Sequence, residues 1–378
     1  MSTGIKSSEK RTDSLDVFKG VLIFLVVFGH FLLPIKEREY LLFNKLFFFI
    51  YSFHMPAFVF LSGYFYFEPW KKRGTKLKYF IPLIILFFLM KIFLHISDIL
   101  FYGDTKIMPD FLHESSTPWY ISTLIIFRLS LYPMELISKL HNNVENTNTD
   151  KKDTVSKNHQ NKFFDPVTIY VMALMLVFIF ISMLNAGWQV KIDDFLSLDR
   201  VVSFAPYFYL GILYKKYSSE IKTSFFEKVN IGFFVFGAVC VLCFFVFFKY
   251  IRFYTMIFYG PWGYRIAEGD ILPVFKGVIN PLRIIYMPYA LGTSYFIFVI
   301  TSLKKNFSTN TLRRFGIYSL PIFVLHRPVR DAFSYLLLDN YIWPIFDKIS
   351  ILIILLAISF FTCLIFGNDK ANKICRFK

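Results

Sequence analysis

Apolar stretches about as long as a bilayer is thick recur through this chain, and they constrain its fold more than any other feature. A helix needs about 20 largely apolar residues to cross the hydrocarbon region. Ten segments approach that requirement: 17–34, 46–67, 79–101, 118–138, 166–186, 201–214, 229–248, 284–303, 315–330 and 345–367. Two of them are short and contain Pro206 and Pro321, so neighbouring helices must cover the freed backbone groups. The 378 residues are 56% hydrophobic and only 18% charged, with 50 Phe and 23 Tyr, more aromatic surface than a soluble core can hide. The expected fold is an all-α polytopic membrane protein of about ten transmembrane helices. A soluble enzyme is excluded.

Charge placement sets the expected topology. Of 42 Lys and Arg, 25 fall in segments on the side of the N-terminus, 11 on the opposite side, and the rest within or at the ends of spans. By the positive-inside rule both termini face the cytoplasm. The expected organisation is a cytoplasmic segment 1–16, a membrane domain 17–367 interrupted by a polar cytoplasmic loop 139–165, and a basic tail 368–378. The net charge of +16 is scattered in short clusters between apolar segments, where it meets lipid headgroups rather than nucleic acid. Residues 1–14 lack a cleavable signal pattern, so the first span is expected to stay as an anchor. Segment 249–283, with Tyr259, Gly260, Pro261 and Trp262, reads as an interfacial or re-entrant loop. Cys240 and Cys243 are flanked by Val, Leu and Phe without an acidic or histidine neighbour, so they read as small buried hydrophobes, and no metal site is expected.

Polar groups inside the spans carry the functional signal, because each costs several kcal/mol unless it faces protein or water. Asp16 and Lys19 open the first span. His30 follows fourteen residues after Asp16, about 21 Å along a helix, with Gly29 beside it leaving room for a close neighbour. The second span carries His54 and Pro56 at a matching depth, and the ninth carries His326. Three histidines in one layer imply a polar cavity. Lys91, His95 and Asp98 share a face of the third span. Arg128 falls nine residues past Trp119, about 13 Å below the outer boundary, where Asp98 is a candidate partner. Lys71, Lys72, Arg73, Lys76 and Lys78 form an inner basic rim, read either as topology-setting charge or as a phosphate-binding field.

Leu15-Asp16-x-x-Lys19-Gly20 through Gly29-His30 resembles the opening of the membrane acyltransferase 3 family, in the branch of fucose-O-acetylase-like, cell-envelope glycan O-acetyltransferases. Ser52-Phe53-His54-Met55-Pro56 through Ser62-Gly63 resembles its second-helix motif. Trp119-Tyr120, Phe208-Tyr209-Leu210-Gly211 and Ser319-Leu320 through His326 resemble later family elements, in family order. The resemblance implies acyl transfer, usually acetyl, from cytoplasmic acyl-CoA (acetyl-CoA) to a hydroxyl of a cell-surface polysaccharide or its lipid-linked precursor, in the cytoplasmic membrane of a bacterium. It makes His30 the essential residue. His54, His326, Arg128 and Lys91 are candidates for acid–base or oxyanion support. Lys19, Lys72, Arg73, Lys76 and Lys78 are candidates for acyl-CoA binding, and Asp16, Gly29 and Trp119 for structural or substrate roles.

This sequence departs from the family where Arg-x-x-Arg is common: Arg73-Gly74-Thr75-Lys76 stands in that register, and Lys lacks the bidentate fork of Arg. No esterase-like domain follows the last span, so transfer is expected to be completed by the membrane domain or by separate polysaccharide-assembly proteins. His30 could act as general base or form a covalent acyl-histidine. A transporter or flippase of envelope lipids or sugars is the competing reading, distinguished by acyl-CoA dependence.

Overall fold

The structure, a computed structural model, describes residues 2–36, 40–113, 116–134, 165–183, 195–218, 223–251, 257–258, 282–303 and 307–377. Most of the polar loop 139–165 and most of segment 249–283 lie outside the described residues. No β-strand occurs among the described residues. The main helices are α1 (Ser2–Lys36), α2 (Leu41–Tyr51), α3 (His54–Arg73), α4 (Ile81–Tyr102), α5 (Trp119–Leu129), α6 (Pro166–Met183), α7 (Leu198–Tyr217), α8 (Thr223–Val246), α9 (Leu282–Leu303), α10 (Phe307–Ile317), α11 (Ser319–Phe333), α12 (Lys348–Phe366) and α13 (Asp369–Cys375).

Among the described residues, six stretches are long and apolar enough to cross a membrane: Asp13–Ile35, Leu41–Arg73, Ile81–Tyr102, Pro166–Met183, Leu282–Leu303 and Lys348–Phe366. The chain is a polytopic α-helical membrane protein. The other four expected segments are helical but shorter or more polar. In α7, for example, Asp199, Arg200, Lys215 and Lys216 flank the apolar middle.

Proline explains two breaks. Pro56 has no N–H for the carbonyl four residues back, and the helix is interrupted at Ser52–Phe53, between α2 and α3. Pro321 likewise stands four residues beyond Ile317, where α10 ends and α11 begins after Tyr318. The first break falls directly before His54, and the second about two turns before His326.

Helices α1 and α3 are central, whereas α4, α6, α9 and α12 are peripheral. The outer helices turn large apolar side chains outward, such as Ile85, Phe88, Leu89, Ile92 and Phe93 on α4. In a bilayer these contacts go to lipid, so apolar burial does not by itself hold the helices together. Close backbone approach does. The three most closely packed helix pairs are α3–α7, α1–α10 and α8–α9, and each crosses at reciprocal glycines. A Cβ on Gly63 would strike the Phe208 carbonyl, and one on Gly211 the Phe60 carbonyl. Gly20 and Gly316 meet the carbonyls of Leu312 and Asp16 in the same way, and a Cβ on Gly237 would strike the carbonyl of Gly292. The first two crossings hold α3 and α1, two of the helices that line the cavity described below.

Candidate active site

A cavity of about 540 Å³ opens among α1, α3, α4, α5 and α11, with α13 beneath. Its mouth carries Lys19, Arg73 and Arg376, and its far end is closed by Met55, Tyr120, Ile121 and Phe323. Aromatic and aliphatic side chains line the shaft between, and no carboxylate appears among the lining residues. Gly74 shapes the mouth: its φ of 65° reverses the chain after α3, a conformation that glycine adopts without the Cβ penalty. The Thr75 hydroxyl then accepts a bond from Trp70 Nε1 at 3.1 Å. Arg73 and Lys78 both lie over the Tyr79 ring, at 5.6 and 5.4 Å. Lys72, Lys76 and Lys78 are exposed around this rim without lining the cavity.

The histidine layer lies past the closed end. Val26 is the last α1 residue to line the cavity, and His30 stands one turn beyond it, about 6 Å. His326 Nε2 lies 3.3 Å from His30 Nδ1, and the two rings meet edge to face with centroids 4.9 Å apart. His54 packs edge-on against Tyr51, with centroids 4.8 Å apart. Gly29 admits that tyrosine: a Cβ there would come within 3.1 Å of the Tyr51 ring. His54 and His326 are sealed, at 2% and 0% exposure, whereas His30 retains accessible surface. Of the three, His30 is the least buried residue.

Hydrogen bonding fixes the tautomers. A carbonyl oxygen only accepts, so the Nδ1 of His326, 2.8 Å from the Phe323 carbonyl and 3.1 Å from that of Ile322, carries its proton. In the neutral ring Nε2 is then the acceptor, and it takes the Nδ1–H of His30. The lone pair of His30 is left on Nε2. His54 is fixed similarly, its Nδ1–H donating to the Ile50 carbonyl at 2.6 Å. In each case the acceptors are carbonyls three or four residues back along the chain, one turn from the ring they fix.

A buried ionic knot holds α11 in this position. Asp331, with no exposed surface, accepts from Ser97 Oγ at 3.1 Å, Tyr102 Oη at 3.2 Å and Arg327 Nε at 3.3 Å, and pairs closely with Arg330. Arg327 continues to the hydroxyls of Ser116 and Thr117, at 2.9 and 3.3 Å. The knot ties α4 and the loop before α5 to the turn that carries His326. Sequence reasoning did not single out Arg327, Arg330 or Asp331. The available signal was three ionisable residues directly after His326 at the end of an apolar segment.

Other expected residues are dispersed. Arg128 is not beside the histidines: its guanidinium lies over the Tyr66 ring at 4.7 Å, and Tyr66 is twelve residues, about 18 Å, along α3 from His54. The expected Asp98–Arg128 pair is absent among the described residues, because Asp98 belongs to the electrostatic surroundings of Arg327 and Asp331. Lys91 donates to the His113 carbonyl at 2.9 Å, and His95 lies 3.9 Å from Asp104. Neither lines the cavity. Trp119 stacks on Phe204 at 5.2 Å with Arg200 above it at 5.6 Å, while its neighbour Tyr120 enters the cavity. Asp16 lies near Lys19 and Arg313 at the foot of α1. In the loop after α4, Asp110 is held down to about 2 by hydrogen bonds from the backbone of His113 and Leu112 and from the His113 ring.

A helical membrane bundle with a cation-mouthed cavity ending below a histidine pair defines the class of protein. The acyltransferase domain of the acyltransferase 3 family matches residues 12–368, and the chain belongs to that family. It is a membrane acyltransferase. Neither a curated protein nor a solved structure matches it.

Proposed function

We propose that this protein is an O-acetyltransferase of the bacterial cytoplasmic membrane. It moves the acetyl group of cytoplasmic acetyl-CoA to a hydroxyl of a cell-surface polysaccharide or its lipid-linked precursor. Ten spans with both termini in the cytoplasm fit the distribution of Lys and Arg and put the cavity mouth on the donor side. Separate polysaccharide-assembly proteins would bring the acceptor. The observation that carries the reading is His30, the least buried of the three histidines, one turn beyond the cavity-lining Val26, with its Nε2 lone pair set by His326.

In this reading Lys19 and Arg73 hold the charged end of the donor, and the apolar shaft receives its neutral arm. Such an arm reaches His30 when Tyr120 and Phe323 yield. His30 Nε2 accepts the hydroxyl proton of the acceptor as its oxygen forms a bond to the thioester carbon. The carbon–sulfur bond breaks, and the proton on His30 passes to the departing sulfur. His326 accepts the His30 Nδ1–H throughout, so the ring does not turn. A general base of this kind contributes roughly 10²–10⁴-fold.

His30→Ala should therefore abolish most acetyl transfer while leaving membrane insertion intact. The check is mass spectrometry of glycan esters in cells carrying the wild type or the variant, with expression matched by immunoblot. Wild-type ester content in the variant would refute the assignment. Translocation of an unmodified glycan, with no acetyl-CoA dependence, would identify a flippase instead.

A further inference from the structure

We infer that the C-terminal helix α13 completes the donor site, with Arg376 holding a donor phosphate at the cavity mouth and Arg128 meeting the same polyanion deeper in the shaft. The inference rests on the proposed donor, and it assigns two residues and one element to it.

The cavity gathers four cations from four separate elements: Lys19 on α1, Arg73 on α3, Arg128 on α5 and Arg376 directly after α13. Arg376 is close enough to Lys19 for the two to repel. The nearest compensating charge on that helix is Asp16, beside Lys19 but not in the lining. Arg128 lies over the Tyr66 ring with Tyr120 also in its electrostatic surroundings, and among the described residues its buried Nε has no hydrogen-bond partner. A guanidinium at that depth is costly without an anion. Like charges converging on one space, with no carboxylate in its wall, fit a ligand with several negative charges. A nucleotide phosphate joined to a long neutral thiol arm has that distribution, with its charged part at the mouth and its apolar part in the shaft.

Helix α13 is built into the bundle rather than trailing from it. The Asn368 side chain caps it by accepting the Ala371 N–H at 2.9 Å. Arg314 on α10 donates from Nε to the Gly367 carbonyl at 2.6 Å. Ala371 and Cys375 are buried, and Cys375 itself lines the cavity. Arg376 is thus held at the mouth by a docked helix while its side chain stays exposed. Lys373, on the same helix, is exposed and paired with Asp369 at 3.0 Å, outside the lining. It supplies the control.

The test is CoA binding by the full-length protein in phosphatidylcholine nanodiscs, followed by calorimetry, with pantetheine as the phosphate-free comparison. Arg376→Gln and Arg128→Gln should each weaken CoA about 10- to 100-fold, the range of a charge-assisted hydrogen bond, and leave pantetheine affinity unchanged. Arg376→Lys should recover part of the loss, and Lys373→Gln should bind as wild type. Should Arg128→Gln fail to yield monodisperse protein, Arg128→Lys serves, with an intermediate loss expected. Wild-type CoA affinity in both arginine variants would overturn the inference while the donor reading stands. Absence of CoA binding by the wild type would overturn the donor reading itself. If Arg376→Gln changes only the retention of phosphatidylglycerol, a lipid headgroup occupies the mouth and the inference falls.

Discussion

The contact between His30 and His326 makes a prediction that separates a positioning role from a merely structural one. In His326→Leu the Nδ1–H of His30 loses its acceptor. Leaving a partly buried donor unsatisfied costs about 1–3 kcal/mol, and at about 1.4 kcal/mol per decade this is roughly a 5- to 140-fold loss of turnover. Turning the ring to find another partner moves the lone pair away from Nε2, which gives the same loss. The 3.3 Å separation is long for an N–H···N bond, so the lower half of that range is expected. His326→Gln offers a carbonyl oxygen at nearly the reach of Nε2 and should recover much of the activity. The decisive measurement is a double-mutant cycle, because a residue that acts through another has nothing left to act on. In a His30→Ala background, adding His326→Leu should change the residual rate little. The assay is transfer of isotopically labelled acetyl to the membrane glycan fraction, with incubations long enough to quantify the His30→Ala rate. Multiplicative losses in the double variant would refute the relay, and so would equal losses in His326→Leu and His326→Gln.

Two further predictions concern what holds the site in place. Gly63→Ala puts a methyl group into the Phe208 carbonyl and should destabilise by about 1–3 kcal/mol through forced separation of α3 and α7; Gly232→Ala, with nothing within 4 Å of the new atom, should be neutral or stabilising by up to about 1 kcal/mol, and thermal unfolding in detergent compares them. Asp331→Asn removes the charge shared by Arg327 and Arg330 and should cost about 3–5 kcal/mol, the penalty for orphaning buried cations; a melting temperature within error of wild type would show that the knot is dispensable.

The membrane class was legible from apolar length alone, because a bilayer sets a hard minimum for a spanning helix. The two helix breaks were half legible: Pro56 and Pro321 announce the loss of a backbone bond, but not that the carbonyls of Ile50, Ile322 and Phe323 would fix the rings of His54 and His326. Depth along single helices suggested a histidine layer, yet could not pair His30 with His326, 296 residues apart, because rotation about the helix axis is invisible to a depth argument. The same limit produced the expected Asp98–Arg128 pair. Asp98 turns towards α11, and Arg128 towards Tyr66 on α3. Gly63 and Gly211 stood in recognisable motifs without a visible reason. Their function is backbone packing between helices far apart in sequence, which no local pattern expresses.

The basic mouth and the histidine pair are joined by one helix and separated by one aromatic contact. Lys19 and His30 are eleven residues apart on α1, about 16 Å, so their spacing is set by a continuous helix that the Gly20–Gly316 crossing anchors. The contact that separates them is Tyr120 against Phe323, edge to face at 5.3 Å, with Phe323 next to the His326 ring at 6.1 Å. Phe323 also supplies the carbonyl that fixes the His326 tautomer. Phe323 thus helps to close the end of the cavity with its side chain and to orient His326 with its backbone. On the proposed function, rotation of this side chain would admit the donor thioester while the carbonyl stays in the helix. On that reading, passage into the site and alignment of His30 as the base are separable. The cavity can open towards His30 without disturbing the proton that keeps its Nε2 free.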